Sequence, residues 1–264
     1  VDFLDVGQGD SILIKTQFGQ NILIDGGPDN SVLGELGKKL SWWDRKIDLM
    51  ILTHPHDDHV MGLIGVLQRY KVEKILYTGV THTAPNYIKW LETVRDQKIP
   101  MVIIDRPQTI NFGTDCDLDI LYPNKPMLGQ TISNLNNSSI VSLLNCSEKK
   151  FLFMGDAEVE VEKDLTPLSP LLIRRGEASD SEWGEVDILK VGHHGSDTSS
   201  GEDFLNMVKP KIAIIPVGKD NKFGHPSLRV IKRLERVGAE IYRTDLSGDI
   251  QILVKNNELL INNQ

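Results

Sequence analysis

The segment Thr53-His54-Pro55-His56-Asp57-Asp58-His59 sets three imidazoles and two carboxylates within seven residues. Its pattern is H-x-H-x-D-H, carried by His54, His56, Asp58 and His59. It closes Ile47–Thr53, a mostly apolar run of strand length that predicts a strand buried on both faces. His59–Tyr70 follows with Val60, Leu63, Ile64, Val66 and Leu67 at its apolar positions and predicts a helix. At a strand end running into a helix, alternation lets His54 and His56 face one way. Asp58 and His59 lie slightly further on and can bind a second ion nearby. Imidazole mixed with carboxylate suits Zn²⁺, Mn²⁺ or Fe²⁺, whereas Ca²⁺ prefers all-oxygen shells. A further pair, His193-His194, follows the apolar run Val186–Val191. Five of the seven histidines thus fall in two short clusters.

Clusters so far apart in sequence need a scaffold that brings them together. Ser11–Lys15 and Asn21–Ile24 flank the turn-like Thr16-Gln17-Phe18-Gly19 and predict a β-hairpin. Ser31–Trp43 has near-helical apolar spacing. Strands are expected at Lys74–Thr78, Met101–Ile104, Leu118–Tyr122, Ile140–Asn145, Lys150–Met154 and Lys211–Val217. Helices are expected at Asn86–Gln97, Ala157–Leu165, Glu202–Val208 and Ser227–Val237. The end, Glu240–Arg243, Asp249–Val254 and Glu258–Ile261, is again strand. Strands alternating with helices, with hairpins at both ends, predict one mixed α/β domain over residues 1–264. Thr166–Glu185, polar and carrying Pro, Ser and Gly, is expected to be a surface loop or lid.

The chain has 264 residues and a formal charge of −8, from 29 basic and 37 acidic side chains. Apolar residues at 40% and charged residues at 25% exclude wholesale disorder. No apolar run approaches the ~18 residues of a membrane span, so no membrane contact is expected of this segment itself. The acidic balance excludes an all-over basic nucleic-acid coat but leaves room for a local patch. Lys190, Arg174-Arg175, Lys219, Lys222 and Arg229 are its candidates. Aromatics are 6% of the chain, and no aromatic–basic interleaving marks a stacking groove. Cys116 and Cys146 allow one disulfide at most, so the redox compartment stays open. The chain opens on Val1 in an apolar run, so an upstream signal peptide or anchor would lie out of view.

With three further motifs the sequence resembles the metallo-β-lactamase superfamily over nearly its whole length. Asp25 in Ile22-Leu23-Ile24-Asp25-Gly26-Gly27, Asp156 in Phe153-Met154-Gly155-Asp156 and His225 in Gly224-His225-Pro226 carry that resemblance. It implies a four-layer αββα sandwich, Asp25 hydrogen-bonding the metal shell, Asp156 bridging two cations and His225 as a ligand. Phe3-Leu4-Asp5-Val6-Gly7-Gln8-Gly9-Asp10-Ser11 and Leu189-Lys190-Val191-Gly192-His193-His194-Gly195-Ser196 are similar to the metallohydrolase domain of ComEC-type competence proteins. Those proteins import DNA, and the resemblance implies degradation of the non-transported strand. It also implies a place on the extracytoplasmic side of the membrane, or secretion.

The superfamily pattern is broken at its third motif. A histidine is expected between the first cluster and Asp156, but His82, read as a loop or helix-capping residue, comes too early. The expected position falls near Asn136-Asn137-Ser138-Ser139, which offers no strong ligand. His193 or His194 should then compensate. The resulting expectation puts His54, His56, Asp156 and one of that pair, with His194 favoured, on one ion. Asp58, His59, Asp156 and His225 would hold the other. Two divalent ions, Zn²⁺ or Mn²⁺, are implied.

Two such ions about 3.5–4 Å apart can share a hydroxide and neutralise a phosphoryl oxygen. Together with this chemistry, the resemblance implies a phosphodiesterase or nuclease acting on DNA or RNA through a metal-bridged hydroxide. Asp58 would orient the nucleophile, and the spare member of His193/His194 would act as an acid or hold a phosphate oxygen. Ser196, Thr198 and the Gly195 backbone are candidate substrate contacts, or equally a helix N-cap or turn before Glu202. Gln8 and Asp10 could touch the metal shell, or Gly7 and Gly9 could mark a turn only. The same motifs would serve a smaller ester or amide, such as a phosphorylcholine ester or a β-lactam. A non-catalytic metal-binding module of a membrane protein is the alternative from another class. The near-complete ligand set favours an enzyme.

Overall fold

The computed structural model describes residues 1–114, 116–165 and 185–263. Two large sheets carry the chain. The first has eight strands in the spatial order Glu258–Asn263, Ile250–Lys255, Asp2–Phe3, Ile12–Lys15, Asn21–Ile24, Leu49–Ile51, Ile75–Tyr77 and Met101–Ile103. The second has seven, in the order Glu240–Arg243, Ile212–Ile215, Ile188–Lys190, Lys149–Phe153, Val141–Cys146, Cys116–Tyr122 and Gln108–Asn111. Each sheet is part antiparallel and part parallel. The parallel portions run from Asn21–Ile24 to Met101–Ile103 and from Lys149–Phe153 to Glu240–Arg243.

Strand alternation decides what each face covers. Ile12, Ile14, Ile22 and Ile24 turn toward Phe151, Phe153, Ile188 and Ile214, giving an apolar layer between the sheets. Leu13, Leu23 and Met50 turn the other way, onto helices α1 (Ser31–Lys39), α2 (Asp57–Arg69) and α3 (Pro85–Gln97). Leu143, Leu152, Leu189 and Ala213 likewise back onto Val161, Phe204, Leu205, Val230 and Leu234 of the helices on the far side. Three apolar layers between four structural layers make the expected αββα sandwich. Each buried Leu, Ile or Phe contributes ~1.5–3 kcal/mol of transfer free energy, which is what holds the two sheets face to face.

Several expected elements shift. The helix from Ser31 ends at Lys39 because its apolar face, Val32 and Leu36, closes with Leu40; Trp42 and Trp43 lie beyond it, exposed. The strand expected over Ile47–Thr53 divides at Asp48, whose carboxylate accepts the Asn21 N–H (2.9 Å). Lys46–Ile47 then pairs with Lys71–Val72 in a separate small ladder. Gln108–Asn111, too polar to be read as a strand, forms a sheet edge. Cys116 and Cys146 face each other across adjacent antiparallel strands and are joined as a disulfide. The surface loop expected over Thr166–Glu185 falls, except for Glu185, outside the described residues, as do Arg174 and Arg175. No helix among the described residues is long and apolar enough to cross a membrane.

Candidate metal centre

The parallel strands of both sheets end on the same edge, and there the chemistry collects. Asp25 follows Asn21–Ile24, His54 and His56 follow Leu49–Ile51, Asp156 follows Lys149–Phe153, and His193-His194 follows Ile188–Lys190. This is the crevice at strand carboxyl ends where open α/β sheets bind ligands.

Asp25 is the anchor of the first sheet's side. Fully buried, it accepts the Thr53 N–H on Oδ1 (2.8 Å) and the Thr53 hydroxyl on Oδ2 (2.6 Å). The same Oδ2 lies 2.7 Å from His59 Nδ1, so that nitrogen donates and Nε2 is left facing the centre. Helix α2 can come this close because Gly62 meets Gly26: a Cβ on Gly62 would stand 1.8 Å from the Gly26 carbonyl oxygen. Gly9, at φ +140, runs equally close under Asp58, whose carbonyl oxygen would be 2.2 Å from a Cβ there. The Gly7-Gln8-Gly9-Asp10 turn is thus a closely fitted contact with the metal motif.

Asp156 is the point of convergence. Its N–H donates to Ser139 Oγ (3.0 Å), so the Asn136–Ser139 segment does reach the site. Its Oδ2 faces four imidazoles: His59 Nε2 and His194 Nε2 at 3.4 Å, His54 Nε2 at 3.9 Å and His193 Nε2 at 4.0 Å. Asp58 Oδ2 adds contacts to His194 Nε2 (3.3 Å) and His59 Nε2 (3.9 Å). His56 Nδ1 lies 3.0 Å from His54 Nε2. On the opposite oxygen, Asp156 Oδ1 is 3.6 Å from Lys190 Nζ. That ammonium is fully buried, is ion-paired with Asp10 and donates to the Gly155 carbonyl (2.6 Å). Lys190 is therefore a structural cation inside the site rather than a base available to DNA.

His193 and His194 take left-handed backbone conformations, φ 46° and 52°, in a tight turn, and their side chains diverge. The Nδ1 of His194 lies 2.9 Å from the Pro216 carbonyl, a pure acceptor, which fixes the proton on Nδ1 and leaves Nε2 for the centre. His194 joins Asp58, His59 and Asp156, whose ligand atoms all lie within 4.8 Å of one another. The sequence reading grouped His194 with His54 and His56, and His225 with Asp58 and His59; the geometry instead groups His194 with Asp58, His59 and Asp156. His225 instead lies against His193, ring to ring at 5.5 Å. His193 is held by Glu158 Oε1 (3.1 Å), Thr198 Oγ1 (3.2 Å) and Asn136 Nδ2 (3.3 Å). Thr198 is exposed at the rim; Ser196 is buried and bonds Thr198 Oγ1 (3.0 Å). Gln8 accepts from Gly218 N–H (3.2 Å), and Arg229 is paired with Asp197 (2.6 Å). Even His82 comes within 6.5 Å, ring to ring, of His56.

Residue chemistry fits divalent cations. Among the described residues, His59 Nε2 and His194 Nε2 are buried polar atoms without a hydrogen bond, a costly arrangement unless a cation completes it. Burial holds His54 well below the usual histidine range and lowers His56 as well, which favours the neutral, ligating form of both rings. Burial also opposes charge on His59 and His194. The surrounding carboxylates outweigh it, led by Asp156, raising His59 and lifting His194 to about 10. A site that draws protons so strongly also favours metal ions in their place.

Comparison with known proteins bears on the family and the fold. Residues 4–219 match the family model of the metallo-beta-lactamase superfamily. ComE operon protein 3 of Bacillus subtilis is 30% identical over 273 residues, covering 97% of this chain and 33% of that protein. Recombination protein 2 of Haemophilus influenzae is 30% identical, covering 96% and 28%, and competence protein ComA of Neisseria gonorrhoeae is 27% identical, covering 94% and 31%. The chain therefore spans about a third of the length of these relatives. Among solved structures, the fold is similar to CmlA, a diiron beta-hydroxylase from Streptomyces venezuelae (TM-score 0.55, 16% identity, 92% of this chain and 52% of that one). It is also similar to Zn(2+)-bound PqqB from Methylobacterium extorquens (TM-score 0.54, 9% identity, 89% and 85%). With its sandwich, its strand-end Asp and His motifs and its match to the family model, the chain belongs to the metallo-β-lactamase superfamily.

Proposed function

We propose that residues 1–264 act as one metal-dependent hydrolase domain that cleaves phosphodiester bonds in a nucleic-acid strand, DNA or RNA. The observation that carries this reading is the convergence of four imidazoles on Asp156 Oδ2. In this reading Asp58, His59, Asp156 and His194 hold one divalent ion, and His54, His56 and Asp156 hold a second, with His193 and His225 at the rim. Two Zn²⁺ or Mn²⁺ ions held there would polarise a phosphoryl oxygen and activate water.

The protein's own groups divide the remaining work. Asp25 and the Pro216 carbonyl hold Nδ1 of His59 and His194, so both rings turn Nε2 to the centre, where an ion would take the place of its proton. Asp58, with its side chain 30% exposed where Asp156 and Asp10 are closed off, orients the attacking water and takes its proton. His193, 24% exposed and fixed by Glu158, hands a proton to the leaving oxygen. Thr198 at the rim donates to a phosphate oxygen. The competence and recombination names of the relatives support a nucleic acid over a lactam. The Cys116–Cys146 disulfide supports an oxidising, extracytoplasmic setting.

The test is a substrate panel with the purified chain in Mn²⁺ and in Zn²⁺: single-stranded DNA, duplex DNA, RNA, bis-p-nitrophenyl phosphate and a chromogenic lactam. Cleavage of an oligonucleotide and of the phosphodiester is expected. Turnover of the lactam alone would overturn the reading.

A further inference from the structure

Beside the metal centre lies a loop that the hydrolytic chemistry does not use. It links the strand Ile212–Ile215 to the helix Leu228–Arg236 and carries Lys219, Lys222 and Phe223 on its outer side, all exposed. Phe223 is 69% exposed, yet its ring stacks on His225, with centroids 5.8 Å apart and planes within 14°. His225 in turn meets His193 at 5.5 Å, and His193 Nε2 lies 4.0 Å from Asp156 Oδ2. A row of rings thus leads from the surface to the bridging carboxylate, and the outer face of its last ring is open.

Hydrogen bonds tie the loop down. Asn221 Nδ2 donates to the carbonyls of Gly218 (2.9 Å) and His225 (2.8 Å), and Asn221 Oδ1 accepts the His225 N–H (3.0 Å). The Gly218 N–H donates to Gln8 Oε1 (3.2 Å), and the Ser227 N–H donates to the Gly195 carbonyl (2.8 Å). Phe223 is therefore presented on a braced loop, so little ordering entropy remains to be lost when something stacks on it. Lys219 and Lys222 make no ion pair among the described residues, unlike Arg229, which is held by Asp197. An exposed aromatic ring in a loop that also carries two exposed lysines and one exposed carboxylate, Asp220, next to a centre that fits phosphate chemistry, is complementary to one ligand: a base with its neighbouring phosphates.

We propose that Phe223 is a stacking platform for an unpaired nucleobase of the substrate strand, with Lys219 and Lys222 on its flanking phosphates. This rests on the phosphodiesterase reading and deepens it. It makes the preferred substrate a single strand, because a base paired in a duplex cannot leave its stack without cost. Lys222-Phe223 with His225 is an aromatic–basic interleaving that the low aromatic content of the whole chain concealed.

Two arms test it. In the first, kcat/KM is measured on a single-stranded oligonucleotide and on one of equal length and charge whose sugars lack bases. The ratio of the two should fall about 5- to 150-fold in Phe223→Ala, the range expected for losing one base–aromatic stack. It should be retained in Phe223→Trp. An unchanged ratio in Phe223→Ala, or a tryptophan variant as impaired as the alanine one, would overturn the proposal. In the second arm, an oligonucleotide carrying 2-aminopurine is mixed with the metal-loaded protein. Its fluorescence should be quenched by the wild type and by Phe223→Trp, and much less by Phe223→Ala. If the wild type cleaves neither oligonucleotide, the phosphodiesterase reading falls, and the quenching alone then decides the stacking subsite. Equal quenching by wild type and Phe223→Ala would remove it.

Discussion

Lys190 offers the sharpest energetic prediction. Its ammonium is fully buried among Asp10, Asp156 and the Gly155 carbonyl. Burial works against its charge, and the carboxylates of Asp10, Asp156 and Asp25 outweigh that, holding its pKa above the ordinary lysine range. Lys190→Met keeps most of the side-chain volume but leaves Asp10 buried without its cation. Removing one partner of a buried pair costs ~3–5 kcal/mol, whereas replacing both with neutral groups is often near neutral. For a chain of this size, that corresponds to a fall in Tm of roughly 10 °C. Urea unfolding followed by circular dichroism in EDTA reads the effect without bound metal, with an unchanged m-value expected. Asp10→Asn added to Lys190→Met should recover most of the loss. A Lys190→Met variant within about 1 kcal/mol of wild type would refute the reasoning. So would a double variant no more stable than Lys190→Met alone.

Other expectations can be checked separately. Asp25→Asn keeps the shape but removes the charge that orients His59, and should weaken metal affinity about 10- to 100-fold in a chelator-competition titration; unchanged affinity would contradict the role of Asp25. Glu162, buried beneath the Ser200 and Gly201 N–H groups, has its carboxyl pushed up to about 7, by burial first. The folded chain then holds a proton that the unfolded chain releases near 4.5, so this contribution is present at low pH and is lost as pH rises through 7. Glu162→Gln should gain on wild type by up to about 3 kcal/mol between pH 4.5 and 8. A thermal-melt difference that does not vary with pH would contradict it. Protein alkylated directly on cell lysis should show no free cysteine, and two free thiols would contradict the oxidising setting.

The contiguous part of the site was legible because H-x-H-x-D-H puts its imidazoles and carboxylate on one strand-to-helix junction, where sequence spacing nearly determines geometry. Asp25 and Asp156 were legible as strand-end residues once the motifs stood in order. The partition of the histidines was not. It depends on two successive left-handed residues, His193 and His194, and nothing in an imidazole announces a positive φ. Lys190 reads in sequence as any surface base does, since its partner Asp10 lies near the other end of the chain and only the fold buries them together. Asp48 divides a strand through a carboxylate bond to Asn21 that apolar patterning cannot register. The sheet-and-helix layers were far more legible, because Ile12, Leu13 and Ile14 alternate between two apolar layers as a strand requires.

The most direct measurement is the rate at which manganese-loaded protein cleaves one single-stranded oligonucleotide, wild type beside Asp156→Asn. Asp156 Oδ2 is the atom on which His54, His59, His193 and His194 converge. Metal-dependent cleavage by the wild type is expected, abolished by chelation and lowered by two orders of magnitude or more (~10²) in the variant. Equal rates for the two proteins, or no cleavage by the wild type with either Mn²⁺ or Zn²⁺, would contradict it.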